Sequence, residues 1–191
     1  MWFCTSGGSL VGERRTLNPT VNSKDADFSV EEQQFLKKTK DELSSLPNQL
    51  LKRAEYFISI GKFKKAEQML DGFDGHIKTS IIYTQGRGPD DAEANTLTIE
   101  KGNGETLSKI VFYRGAFNAY KNGSPAKRDS GYFIDLKPGI HAIRGLIGHE
   151  TGHLVKSLNF DSDGNLLPDR EGNSERFLQD LFPNEFPGTK K

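Results

Sequence analysis

The chain has almost no cysteine: Cys4 is the only one in 191 residues. A disulfide framework and a thiolate zinc site are therefore both excluded within one chain. It also lacks a net charge, with Lys+Arg and Asp+Glu equal at 26 each. That balance argues against a dedicated nucleic-acid binder, which carries a basic stripe or tail. The short basic runs Lys37-Lys38, Lys64-Lys65 and Lys190-Lys191 read as solvated surface or terminus. No apolar run approaches the ~20 residues needed to cross a bilayer, so no membrane span is expected. The opening "MWFCTSGGS" has neither the basic start nor the apolar stretch of a signal peptide. Histidine is scarce too, at four residues, yet two of them stand four positions apart in "GLIGHETGHLVKSL" (145–158).

Residues 1–27 mix Gly, Ser, Asn and charge without periodicity and read as a flexible leader. Residues 28–72 read as a helical segment. Its first helix starts at Ser29, because "SVEE" is a capping box with Glu32 three residues on. Phe35, Leu36, Leu43 and Leu46 give it an apolar stripe that Pro47 is expected to break. A second helix then runs from Pro47 to Gly61, and a third, "KFKKAEQMLDG", closes at Gly72. The period changes after that. Residues 76–84, 95–102, 107–115 and 131–136 are β-branched or aromatic and separated by Gly, Asn, Asp and Pro, as strands are. "KGNGE" suits a hairpin turn between the second and third of these. A helix follows from about Ile140 to Leu158, then a polar loop over 159–173, the short helix "SERFLQDLF" and a tail at 184–191. The expected class is α+β: N-terminal helices, a small and mostly antiparallel sheet, the histidine-bearing helix and a short C-terminal helix. Residues 73–183 are expected to form one compact unit.

On a helix, residues four apart lie on one face a turn apart. His149 and His153 therefore aim two imidazoles at one spot, a spacing suited to one Zn²⁺ at ~2.0–2.1 Å from each. Glu150 is rotated by about 100° from His149, outside direct coordination but within reach of an activated water. Zinc lowers the pKa of such a water towards ~7, and Glu150 can take its proton as it attacks a carbonyl. Leu146, Ile147, Leu154, Val155 and Leu158 make the helix apolar, so its buried histidines and carboxylate need partners that a metal can supply.

"HETGH" (149–153) resembles the zincin metallopeptidase motif, including the glycine before its second histidine. The resemblance implies Zn²⁺ as cofactor, a protein or peptide as substrate and hydrolysis of a peptide bond. The small size and isolated motif also resemble the peptidase domains of bacterial toxins and effectors, which implies secretion or delivery, with a cytoplasmic location also open. The metzincin subclass needs Gly and His where this chain has Lys156 and Asn159, and no histidine follows His153. A gluzincin-like arrangement implies a third ligand from a glutamate on a downstream helix. Glu171 and Glu175 lie 18 and 22 residues past His153. Glu175 is preferred, because it opens "SERFLQDLF"; Glu171 and the aspartates of 161–169 remain alternatives. An acidic partner one turn after Glu175 falls between Gln179 and Asp180.

The other candidates carry weaker signals. His141 lies eight residues before His149 on roughly the same face and reads as a cap or surface residue rather than a substrate ligand. His76 begins an expected strand. Tyr113 and Tyr132 could polarise a carbonyl, and the strand Tyr132–Leu136 could pair with an extended substrate. "DSDGNLLPD" (161–169) misplaces the glycine of a calcium-binding EF-hand loop and reads as a polar turn. The rival functions are a zinc amidase acting on cell-wall peptide, and a non-catalytic helical interaction module with structural histidines.

Overall fold

The computed structural model describes residues 15–16, 28–100, 106–125, 134–161, 165, 167–168 and 170–187. Apart from Arg15 and Thr16, the expected leader lies outside them. The architecture is α+β. In chain order the elements are β1 (Arg15–Thr16), α1 (Val30–Ser59), α2 (Phe63–Ile77), β2 (Ser80–Tyr83), β3 (Ala94–Glu100), β4 (Thr106–Phe112), α3 (Arg114–Asn122), α4 (Ile140–Leu154), α5 (Lys156–Asn159) and α6 (Arg170–Leu181).

The capping box forms as expected: Glu32 N–H donates to Ser29 Oγ, and Ser29 N–H donates to Glu32 Oε2 at 3.1 Å. Glu32 does more than cap. Its other oxygen accepts from Tyr83 Oη, Gln85 and Arg114, the last at 2.6 Å, fastening the start of α1 to the sheet and to α3. Burial pushes the Glu32 carboxyl up, but these hydrogen bonds and the Arg114 charge hold it below its ordinary value.

The expected break at Pro47 does not occur; α1 runs straight through it. Proline has no N–H, so the carbonyl four residues earlier, that of Leu43, loses its helical donor. His76 supplies the replacement, with Nε2 3.2 Å from Leu43 O. His76 therefore sits in α2, not at the start of a strand, and it is buried. Helix α2 also continues past its expected end at Gly72. A Cβ at Gly72 would lie 2.8 Å from Phe177 Cζ, and one at Gly75 2.8 Å from Leu154 Cβ. Both glycines are contact points for neighbouring helices, not helix stops.

The sheet order is β1-β2-β4-β3, with β2 parallel to β4 and the other pairs antiparallel. Residues 76–79 belong to α2 and its cap, which shortens the first expected strand. The third strand ends at Phe112, and "RGAFNAYKN" forms α3, closed by Gly123 at φ +77°. Of the expected strand 131–136, residues 131–133 lie outside the described residues, and Leu136 makes a single bridge to Ser124.

The core lies where α1, α2, α4 and α6 meet the sheet, around Phe35, Leu50, Met69, Tyr83, Ile110, Ile143, Ile147, Phe177 and Leu178. Phe35 alone packs its ring 5.5 Å from Tyr83, 5.8 Å from Phe117 and 5.5 Å from Tyr120, joining α1 to β2 and α3. Arg144 on α4 pairs with Glu42 on α1 and with Glu185, each at 2.7 Å.

Candidate metal centre

Helix α4 is buried along most of its length, and three glycines let it seat closely. A Cβ at Gly148 would meet Leu178 Cδ1 at 2.5 Å, and one at Gly152 would meet Ser174 Cα at 2.7 Å; at Gly145 it would meet Leu136 Cδ2 at 2.3 Å. Gly148 and Gly152 are thus where α6 crosses α4 in antiparallel fashion. That crossing decides which acidic residues of α6 face the histidines. The far end of α4 is closed by Asn159. Its buried Nδ2 donates to the carbonyls of Gly152, His153 and Val155 at the end of the helix. The expected single helix to Leu158 is accordingly two, α4 and α5, hinged at Val155 with ψ 106°.

His149 and His153 converge as their spacing predicts, with Nε2 atoms 3.2 Å apart. The third member of the cluster is Glu171, not the preferred Glu175. Its Oε2 lies 3.0 Å from His149 Nε2 and its Oε1 3.6 Å from His153 Nε2. The reason is the start of α6: the helix begins at Arg170, so Glu171 stands in its first turn beside the imidazoles. Glu175, one turn further on the same face, is buried and adds its negative charge to the field at His149. Asp180 does not enter the site. Its carboxylate pairs with Lys65 at 2.6 Å, and its carbonyl accepts from Arg53.

The three ligand atoms lie within 4.8 Å of one another, so this group can hold a metal ion. Its dimensions can be tested against zinc. A tetrahedral ion with bonds of ~2.0–2.1 Å separates its ligand atoms by about 3.3 Å. The contacts of His149 Nε2 with Glu171 Oε2 and with His153 Nε2, 3.0 and 3.2 Å, are close to that edge, and the other oxygen of Glu171 lies 3.6 Å from His153 Nε2. Two imidazoles and one carboxylate are also a donor set that Zn²⁺ accepts. Ser174 Oγ lies 3.0 Å from His153 Nδ1, a partner that fixes the ring so that Nε2 faces the centre.

The electrostatics favour a cation. Burial alone would lower the pKa of His149, but the Glu171 hydrogen bond and the charges of Glu150, Glu171 and Glu175 raise it overall. Hydrogen bonds from His149 and His153 hold the Glu171 carboxyl far below the usual carboxylate range. Glu150 is buried beside the cluster and turned to the sheet, where Thr96 on β3 donates to its Oε2 at 2.6 Å. Sequence reasoning missed Thr96, whose only signal was its place in an alternating strand.

The remaining candidates are placed as follows. His141 accepts from Lys137 N–H at Nδ1, lies 3.3 Å from Glu185 O at Nε2 and packs on Phe186; it ties the first turn of α4 to the chain before it and to the C-terminal segment, and does not cap the helix. Tyr113 is buried in the core and Tyr132 lies outside the described residues. Asp161 accepts from Asn165 N–H and is not among the clustered ligands; residues 162–164, 166 and 169 of the expected polar turn lie outside the described residues. Comparison with family models, curated proteins and solved structures returned no match, so the site is read from its own geometry.

Proposed function

We propose that this protein is a zinc-dependent metallopeptidase in which His149, His153 and Glu171 hold the metal and Glu150 is the general base. The observation that carries this reading is the convergence of two Nε2 atoms and one carboxylate within 4.8 Å, with a buried glutamate beside them held by a sheet residue. When bound, zinc supplies a Lewis acid and a water acidified towards pH ~7. Glu150 receives the proton of the attacking water and returns it to the leaving amine nitrogen. Thr96 fixes one carboxylate oxygen of Glu150 and so leaves the other to do this work. Ser174 orients His153, and the charge of Glu175 acts on His149.

The strand beside the site is β3, the outer strand of the sheet among the described residues. Its outer edge suits an extended peptide by β-augmentation, and it takes the substrate-pairing role first assigned to Tyr132–Leu136. Hydrolysis of an unstructured peptide library by the zinc-loaded protein tests the proposal. Glu150→Gln should keep zinc and lose activity by a factor of roughly 10²–10⁴. Hydrolysis at the wild-type rate by that variant, or none by the loaded wild type, would overturn it.

A further inference from the structure

The tip of the α1–α2 hairpin presents large apolar side chains to solvent. Phe63 is 68 % exposed, Ile58 50 %, Tyr56 48 % and Ile60 45 %. All four lie within eight residues of one turn, which Gly61 makes at φ +71°. A cluster of this kind marks an interaction surface.

Charge identifies the partner. Between residues 52 and 65 the cations Lys52, Arg53, Lys62, Lys64 and Lys65 stand against one acid, Glu55, in a chain whose net charge is zero. Beside the tip, a cleft of about 720 Å³ opens towards α6, lined by Lys62, Lys64, Lys65 and Arg176 with Asp180 as its acid. Lys65 is engaged by Asp180, and Arg53 lies over the rings of Tyr56 and Phe57. Nucleic acid would match the charge, but it offers no apolar medium that could bury the aliphatic side chains of Ile58 and Ile60 beside Phe63. Aliphatic and aromatic side chains ringed by lysines match the boundary between lipid headgroups and acyl chains.

We propose that the α1–α2 tip docks the protein on an anionic lipid bilayer, with Ile58, Ile60 and Phe63 entering the interface and Lys62 and Lys64 meeting lipid phosphates. The docking is peripheral, since no described helix is long and apolar enough to cross a membrane. It is independent of the metal centre, so a chelator leaves it unchanged.

Co-sedimentation of the full chain with vesicles tests this. The protein should pellet with equimolar phosphatidylcholine and phosphatidylglycerol, stay in solution with phosphatidylcholine alone, and be released by high salt. Phe63→Asp and Ile60→Asp should abolish pelleting while leaving circular dichroism and melting temperature unchanged, because both side chains are exposed. Lys62→Gln and Lys64→Gln should each weaken partitioning by about fivefold. Failure to pellet with anionic vesicles, or pelleting that survives Phe63→Asp, would overturn the proposal. So would lipid-free self-association that Phe63→Asp abolishes, which would make a second copy the partner.

Discussion

At the scale of single residues, contacts distinguish the roles of three glutamates. Glu171 touches both imidazoles, Glu150 is held by Thr96, and Glu175 adds its charge to the field at His149. Glu171→Ala should therefore weaken zinc binding more than Glu175→Ala, which removes only a neighbouring charge. Competition with a zinc-chelating dye gives both values, and the reverse order would contradict the assignment. Thr96→Val should keep stoichiometric zinc and lower kcat with little change in KM, by about tenfold, the loss of one charge-assisted hydrogen bond. A variant with unchanged kcat would remove Thr96 from the mechanism.

The histidine pair was legible in the sequence because spacing on a helix is rigid: any helix containing "HETGH" puts both rings on one face. The third ligand was not. "REGNS" contains Gly172 and Asn173, weak helix formers, so the helix looked as if it began at Ser174. Tertiary contact overrides that preference. Asn173 donates from its side chain to Leu158 O at 2.6 Å, and Ser174 lies under Gly152, which holds the first turn of α6 in place. Glu171 thereby moves from an apparent loop onto a helix.

At the scale of elements, two close approaches decide the geometry. Gly152 leaves room for the backbone of α6, and a methyl there would lie 2.7 Å from Ser174 Cα. Gly152→Ala should force α6 away, lower stability by about 1–3 kcal/mol and weaken zinc binding with it. Denaturant titration and zinc affinity measured on the same preparation check both effects; an unperturbed pair would show that α6 can sit further out. The second approach is His76 to Leu43. Pro47 read as a helix break because local rules see only the lost N–H; the donor that compensates it comes from another helix. His76→Leu should cost about 1–3 kcal/mol by leaving the Leu43 carbonyl unsatisfied. Gly72 misled in the same way, since a glycine that ends a helix and one that receives a neighbouring side chain look alike in sequence.

At the scale of the whole molecule, helices α1 and α2 are tied to the rest through Glu32–Arg114 and Arg144–Glu42 as well as through apolar contact. Acid should loosen the α1–α2 contact that His76 makes with Leu43. Burial lowers the His76 pKa below its unfolded value of about 6.5. The contribution of the neutral ring is therefore fully present above that pH and declines as pH falls towards the folded value. In parallel measurements at several pH values, His76→Leu should flatten this decline relative to wild type. Equal slopes would show that His76 does not titrate with unfolding. The α+β class was readable because the change from helical to alternating period is a whole-segment property. Helix α3 was not recognised, since "RGAFNAYKN" follows a strand without a cap and carries only a short apolar face.

The most direct test of the account is the zinc content of the purified protein, measured by mass spectrometry on wild type, Glu150→Gln and Glu171→Ala side by side. The account predicts one zinc per chain in the first two and a marked deficit in the third. Wild-type protein without zinc, or Glu171→Ala with a full complement, would contradict it.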